Sequence, residues 1–223
     1  MSKLVLIPSP IGNLEDITIR AIETIKNVDL ILCEDTRRTI KLLNHLGIKK
    51  KLKSFHKFNE HSLIEKCIND IKAGVKTGLL SDAGTPGISD PGYLIVKKCI
   101  DNQIEVECLP GPTALIPALV VSGLPSERFT FEGFLPIKKG RKTRLEELSF
   151  EKRTMIFYES PHKLVKTLTD FLMTFGPERQ ASVTKEISKI FESTTRGTLK
   201  DILNQIESIK VKGEFVIVVG GKK

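Results

Sequence analysis

Twelve residues, Ser81-Asp82-Ala83-Gly84-Thr85-Pro86-Gly87-Ile88-Ser89-Asp90-Pro91-Gly92, hold three glycines, two prolines and two aspartates, and they directly follow the apolar run Gly78-Leu79-Leu80. That composition serves neither a helix nor a strand: glycine lets the backbone bend and lets a ligand approach the main chain, and proline fixes the bend. Open α/β sheets bind ligands just beyond the carboxyl ends of their strands, so the stretch reads as a small-molecule loop, with a plain turn as the alternative. Further polar clusters follow strand-like runs: residues 8–13, Glu34-Asp35-Thr36-Arg37, residues 56–60, residues 110–113, Tyr158-Glu159-Ser160 and Lys185-Glu186. Loops at the same edge of a parallel sheet converge, which predicts a cleft lined by residues far apart in sequence.

Signatures of other chemistries are missing. No G-x-G-x-x-G follows the first strand, and neither G-x-x-x-x-G-K-[ST] nor G-x-S-x-G occurs. The histidines His45, His56, His61 and His162 show no metal-ligand spacing, and the cysteines Cys33, Cys67, Cys99 and Cys108 form no C-x-x-C pair. No metal is expected, and the cysteines read as small buried hydrophobes in a reducing compartment.

The elements that must position these clusters alternate in the first half. Strands are predicted over 4–7, 28–32, 52–55, 76–80 and 104–108, and helices over 18–27, 36–46, 59–73 and 93–102, with another opening after Leu109-Pro110-Gly111-Pro112 and running through Val121. Ile19, Ile22 and Ile25 illustrate the helical spacing. The alternation predicts a largely parallel sheet covered by helices. The break Gly123-Leu124-Pro125-Ser126 divides the chain into expected domains 1–123 and 124–223. Beyond it, strands are predicted over 129–134, 154–158, 180–184, 190–194 and 214–219, with helices after Lys139, over 161–175 and over 199–209. Adjacent strands without an intervening helix predict a mixed sheet, giving an α/β class with two α/β domains.

At 223 residues, with 40% apolar and 28% charged residues, the chain can bury a substantial core. No apolar run reaches the roughly 20 residues needed to span a bilayer, and the apolar stretch at the N-terminus is too short for a signal peptide. A cytoplasmic location without membrane association is the expectation. The formal charge is +8: 16 basic against 14 acidic residues through Leu124, and 19 against 13 from Pro125 on. The densest run, Lys138-Lys139-Gly140-Arg141-Lys142-Thr143-Arg144, and the cluster Lys49-Lys50-Lys51-Leu52-Lys53 suit a polyanion such as RNA or a solvated surface.

Seven ordered motifs resemble one family. They are Pro8-Ser9-Pro10-Ile11-Gly12-Asn13-Leu14, Glu34-Asp35-Thr36-Arg37, Ser81-Asp82-Ala83-Gly84-Thr85-Pro86, Asp90-Pro91-Gly92, Leu109-Pro110-Gly111-Pro112, Glu132-Gly133-Phe134-Leu135-Pro136 and Phe157-Tyr158-Glu159-Ser160. Together they resemble the tetrapyrrole methylase superfamily, and within it the methyltransferases of small-subunit ribosomal RNA. Ser9 stands where threonine is expected, and Gly87 where a larger apolar residue is common. The resemblance implies two α/β domains with S-adenosylmethionine in a cleft between them, in a homodimer. It implies methyl transfer to the ribose 2′-hydroxyl of a cytidine in the decoding region of 16S rRNA, as free rRNA or small ribosomal subunit. Carried over by motif, the cofactor residues are Pro8, Ser81, Asp82, Ala83, Gly84, Thr85, Pro86, Thr113, Ala114, Tyr158 and Glu159. Some relatives carry a C-terminal extension, which a chain ending soon after Gly220-Gly221 is expected to lack.

A ribose hydroxyl is a poor nucleophile, so a base should help remove its proton. Glu34, Asp35 and His56, at strand ends on the cofactor edge, are the candidates; helix capping or orientation of Arg37 is the alternative for each, and Lys185-Glu186 is a reserve pair. Arg37 and Arg38 are placed for a phosphate or ribose, or for a surface ion pair. Lys138, Lys139, Arg141, Lys142 and Arg144 are the candidates for RNA backbone contact. Methylation of a small acidic tetrapyrrole, or a non-catalytic RNA-binding role, are the rival readings; binding of S-adenosylmethionine separates the second.

Overall fold

The computed structural model describes residues 3–207 and 211–222. The end of the helix expected over 199–209 therefore lies outside the described residues. Two compact units divide between Thr113 and Ala114.

The first unit runs β1 (Lys3–Leu6), α1 (Ile19–Asn27), β2 (Leu30–Cys33), α2 (Thr36–His45), β3 (Lys51–Ser54), α3 (Glu60–Lys72), β4 (Thr77–Leu80), α4 (Tyr93–Asp101) and β5 (Glu105–Cys108). Its five strands form the order β3-β2-β4-β1-β5, and every pair is parallel. Side chains alternate across a strand, and β1 uses both faces. Leu4 and Leu6 join a core with Ile64, Ile68 and Ile95 of α3 and α4, while Val5 and Ile7 join one with Ala21, Ile25, Leu42 and Leu43 of α1 and α2. Each such buried side chain contributes about 1.5–3 kcal/mol, so two covered faces hold these four-residue strands. Local signals set the helix starts. Thr18 Oγ1 accepts from Ala21 N at 3.0 Å to begin α1, and Asp35 Oδ1 accepts from Arg37 N at 2.9 Å to begin α2.

Neighbouring strands β4 and β1 send their connections to opposite faces. From β1 the chain leaves through α1 toward β2, and from β4 it leaves through α4 toward β5. The carboxyl ends of β1 and β4 therefore flank a topological switch point.

The second unit runs α5 (Leu115–Ser122), β6 (Phe129–Gly133), α6 (Arg141–Leu148), β7 (Thr154–Glu159), α7 (Leu164–Phe175), β8 (Gln180–Lys185), β9 (Ser193–Thr198), α8 (Leu199–Glu207) and β10 (Phe215–Val219). The sheet order is β6-β7-β10-β8-β9; β6 runs parallel to β7, and the remaining pairs are antiparallel. Phe215, Ile217 and Val219 of the central β10 share a core with Leu145, Leu164, Leu168, Phe171 and Ile202 of α6, α7 and α8. Helix α5 packs on β7, β8, β9 and β10, with Leu115, Ala118 and Leu119 buried. This packing moves the division ahead of the expected break at Gly123: α5 belongs to the second sheet, whose central strand needs both faces covered. A second correction concerns the strand expected over 190–194, which is Ser193–Thr198. Ile190 and Phe191 are exposed in the preceding turn, where Glu186 and Ser188 take left-handed φ of 54° and 66°. An apolar pair in a turn had imitated the start of a strand.

Candidate functional site

The loops that follow β1, β4 and β5 are fastened to one another. Ser9 and Gly84 form a two-way backbone bridge, with Ser9 N to Gly84 O and Gly84 N to Ser9 O both 2.9 Å. Ser9 Oγ donates to Ser81 O at 3.1 Å, so the hydroxyl at the position where threonine was expected is used in the loop contact. Thr85 Oγ1 donates to Pro112 O at 3.0 Å, linking the β4 loop to the β5 loop. Gly111 closes the third side, since a Cβ there would stand 2.5 Å from Pro8 Cβ and 2.8 Å from Pro8 Cγ. Gly84 takes φ +78°, a left-handed turn that glycine adopts without strain. Within the β4 loop, Ser81 Oγ stands 3.2 Å from the carbonyls of both Ala83 and Gly84.

These fastenings leave main-chain donors unspent. The N–H groups of Asp82, Ala83 and Thr85 find no acceptor among the described residues. Rigid amides with nothing to bind, at a switch point, suit the polar atoms of a small ligand. A cavity of about 160 Å³ opens beside them, lined by Ser9, Arg38, Leu42, Ser81 and Asp82. Ordinary ligand sites measure about 300–1,000 Å³, so this cavity takes only part of a ligand.

Carboxylates gather at the ends of β2 and β4. Asp82 Oδ1 accepts from Asp35 N at 3.0 Å, and Asp82 Oδ2 lies 3.4 Å from Arg38 Nε. Burial, and then Asp82, push the Glu34 carboxyl above its ordinary pKa, against Arg38, Lys57 and His56. Burial also raises Asp90 to about 7, reinforced by Glu34 and Asp82 and opposed by a hydrogen bond with Ser81. Two glycines and a serine aim Asp90. Ser89 adopts φ 64°, and a Cβ on Gly92 would stand 3.2 Å from Gly87 N. In the sequence Asp90 stands beside Pro91, which restricts its backbone, but nothing there gives it a role of its own; its burial and its carboxylate neighbours appear only in the fold.

The candidate bases separate. Asp35 caps α2 and holds Arg37 through Nε at 3.0 Å and Nη2 at 2.7 Å. The Arg37 side chain, then its backbone N–H, keep this carboxyl near 2, where it is a poor proton acceptor. His56 Nδ1 accepts from Phe58 N at 3.3 Å in the turn before α3, at the end of the edge strand β3. Of the two carboxylates, Glu34 is half-buried and, among the described residues, makes no hydrogen bond through its side chain. Arg37 and Arg38 both sit in ion pairs, with Asp35 and Asp82. Thr113 lies against the β4 loop, its Cα 4.0 Å from where a Gly84 Cβ would stand, and Ala114 begins the second unit as the N-cap of α5.

In the second unit, Glu159 is buried and its carboxylate is occupied. Oε1 accepts from Ser160 N at 2.7 Å, and Oε2 accepts from Thr167 Oγ1 at 2.6 Å. Thr167 Oγ1 in turn accepts from Arg141 Nη2 at 2.8 Å, and Arg141 Nε donates to Asp170 Oδ2 at 2.8 Å. Arg141 is therefore a buried strut between α6 and α7, and the expected phosphate contact is corrected at this residue. A buried cation is expensive unless matched, which is why it is tied at both ends. Arg144 is shared by Glu132 at 2.5 Å and Glu147 at 2.9 Å. Lys138, Lys139 and Lys142 stay exposed. Tyr158 packs edge-on against Phe131 and Phe134, with centroids 4.9 Å and 5.8 Å away.

Among the described residues no group of three His, Cys, Asp or Glu side chains is arranged to hold a metal ion, and no helix is long and apolar enough to cross a membrane.

Residues 3–203 match the sequence profile of the Tetrapyrrole (Corrin/Porphyrin) Methylases. The chain is 46% identical over 223 residues to a ribosomal RNA small subunit methyltransferase I of Thermotoga maritima, covering all of both chains. It is 48% identical over 219 residues to the protein of that name from Halalkalibacterium halodurans, covering 98% of this chain and 75% of the relative. Among solved structures, it is similar to uroporphyrin-III C-methyl transferase from Thermus thermophilus complexed with S-adenyl homocysteine, with TM-score 0.67, 16% identity, and coverage of 98% and 97% of the two chains.

Proposed function

We propose, from the premise that this chain belongs to the tetrapyrrole (corrin/porphyrin) methylase family, that it methylates the ribose 2′-hydroxyl of a cytidine in the decoding region of 16S rRNA, with S-adenosylmethionine as donor. The observation that carries this reading is the interlock of the loops after β1, β4 and β5 beside unspent amides of Asp82, Ala83 and Thr85. Near-full-length similarity to small-subunit rRNA methyltransferases and the basic excess of residues 114–223 support the choice of RNA.

S-adenosylmethionine supplies an electrophilic methyl carbon on a positively charged sulfur. The chain's own contribution is positioning, because alignment of reacting atoms supplies much of the acceleration in such a displacement. Pro8, Gly84 and Gly111 set how closely the ligand approaches the backbone, and residues 81–86 offer the donors. Thr113, Ala114, Tyr158 and Glu159 complete the cofactor set in this reading, with Glu159 acting through the turn that it orders. The proton of the ribose hydroxyl passes to a carboxylate, for which Glu34 is best suited and Asp90, near neutrality, is the neighbouring reservoir. The working form is a cytoplasmic homodimer acting on 16S rRNA or the small ribosomal subunit.

Mapping 2′-O-methylation in rRNA from cells lacking this gene tests the assignment; retention of every methyl group would overturn it. Single-turnover rates for Glu34→Gln, Asp35→Asn and His56→Gln test the base, with a large loss expected for Glu34→Gln. Unchanged rates in all three would remove these groups from the proton transfer.

A further inference from the structure

One end of the second unit's sheet opens into a broad groove of about 1310 Å³. Its walls are the starts of β7 and β8, the end of β10, and the residues after α6 and α7. Tyr158 and Glu159 stand at the other end of the six-residue strand β7, so about 17 Å of strand separates them from the groove. The groove is a built feature. A Cβ on Gly221 would stand 1.9 Å from Lys152 O, and Lys222 N donates to Glu151 O at 2.7 Å. These contacts lay the chain after β10 along the start of β7.

Its chemistry is that of a polyanion site. Arg179 is half-buried against Phe175, its guanidinium carbon 5.9 Å from the ring centroid. It donates to Gly220 O at 3.1 Å and has no carboxylate partner among the described residues. A desolvated guanidinium without a counter-ion favours an incoming anion. Phe150 is 68% exposed, and Lys222 Nζ lies 4.6 Å from its centroid. Of the carboxylates on the walls, Glu151 is matched by Arg153, and Glu147 shares Arg144 with Glu132. The walls carry five cations, Arg128, Lys152, Arg153, Arg179 and Lys222, against four carboxylates, in the unit that carries most of the chain's net positive charge. A wide groove with an exposed ring beside cations is how proteins hold a single strand: phosphates meet the cations and a base stacks on the ring.

We infer that this groove is a second RNA-contacting surface, which seats a single-stranded phosphodiester segment of the substrate with a base on Phe150, away from the reacting ribose. The inference rests on the reading of the protein as an RNA methyltransferase.

The test compares Arg128→Ala/Lys152→Ala/Lys222→Ala with a control neutralising the exposed Lys66, Lys166 and Lys200, both in the full chain. Binding of a fluorescein-labelled single-stranded RNA is followed across salt concentrations, and methylation of small ribosomal subunits lacking the modification is measured alongside. Three lost phosphate contacts should flatten the log–log salt slope by about 2, at about 0.7 per contact, and weaken low-salt binding at least tenfold. KM for the subunits should rise with kcat, S-adenosylmethionine affinity and melting temperature unchanged. Phe150→Ala should weaken binding further, and Phe150→Tyr should restore it. A triple variant whose slope and KM equal the control's overturns the groove while leaving the enzyme's activity standing. Wild-type protein that neither binds nor methylates these RNAs overturns the activity and the groove together.

Discussion

Asp90→Asn should make the protein more stable above neutral pH. The wild-type carboxyl sits at about 7 instead of 3.8, with burial the largest cause and Glu34 and Asp82 next. An acid whose folded pKa is raised binds its proton more tightly when folded. Its contribution is therefore full below the unfolded pKa and is lost as pH rises through the folded one. At 1.36 kcal/mol per tenfold, the rise corresponds to about 4 kcal/mol at face value. The group is only partly buried, and solvent screening reduces this to about 1–2 kcal/mol. Asparagine keeps the shape and removes the titration, so the variant should gain about 1–2 kcal/mol on wild type between about pH 4 and pH 7 and keep that gain above neutrality, a shift of about 3 °C or more in Tm. Calorimetric melts of both proteins across that range measure it. Glu34→Gln, which removes one of the repelling charges, should move the wild-type inflection to lower pH. Parallel curves for wild type and Asp90→Asn would refute the buried, proton-holding carboxyl and, with it, the proton reservoir beside Glu34.

Gly111→Ala should drive the Pro8 loop away, costing about 1–3 kcal/mol as an overpacked contact and weakening S-adenosylmethionine binding in calorimetric titration. Thr167→Val removes the hydroxyl shared by Arg141 and Glu159; a loss of about 2–4 kcal/mol in thermal or denaturant melts is expected, with Thr167→Ser close to wild type. Neutralising Lys138 and Lys139 should weaken RNA binding at low salt without moving the melt, whereas Arg141→Ala should lower the melt by breaking its buried links to Asp170 and Thr167.

The first sheet was legible because β1, β2 and β4 are short, mainly apolar runs followed by turn residues, the strand–helix alternation carries the more polar β3 and β5 with them, and α1 and α2 carry their caps, Thr18 and Asp35, in the sequence. The Gly/Pro loop could be placed at a strand end for the same reason. Its fastenings could not: Ser9 meets Gly84, and Gly111 meets Pro8, only because the order β3-β2-β4-β1-β5 sets β1 between β4 and β5, and sequence spacing does not encode strand order. Arg141 was misread because a dense basic run resembles a solvated surface; of the run's five cations, α6 holds three and turns one of them inward, onto Asp170 and Thr167. Asp35 stood in the sequence as either a base or a helix cap; in space its carboxylate caps α2 and holds Arg37, the second of the two readings. The division at Thr113 was hidden because α5 continues the strand–helix rhythm of the first half while packing on the second sheet.

The two-way bridge between Ser9 and Gly84 has a consequence for how this protein tolerates changes in length. The last contact below it is Ile7 N to Leu79 O at 2.9 Å. Between these two pins the β1 side advances two residues and the β4 side five, so Ser81, Asp82 and Ala83 are excess chain forced outward between fixed points. Adding or deleting one residue within 80–83 changes that excursion and unseats either the bridge or the strand register. An insertion at Gly87 or Ile88, both exposed and beyond the second pin, leaves the bridge and the register in place and falls instead on the turn that sets Asp90. Libraries of single-residue insertions should therefore lose the loop interlock on one side of Gly84 and keep it on the other, a boundary drawn by two backbone hydrogen bonds.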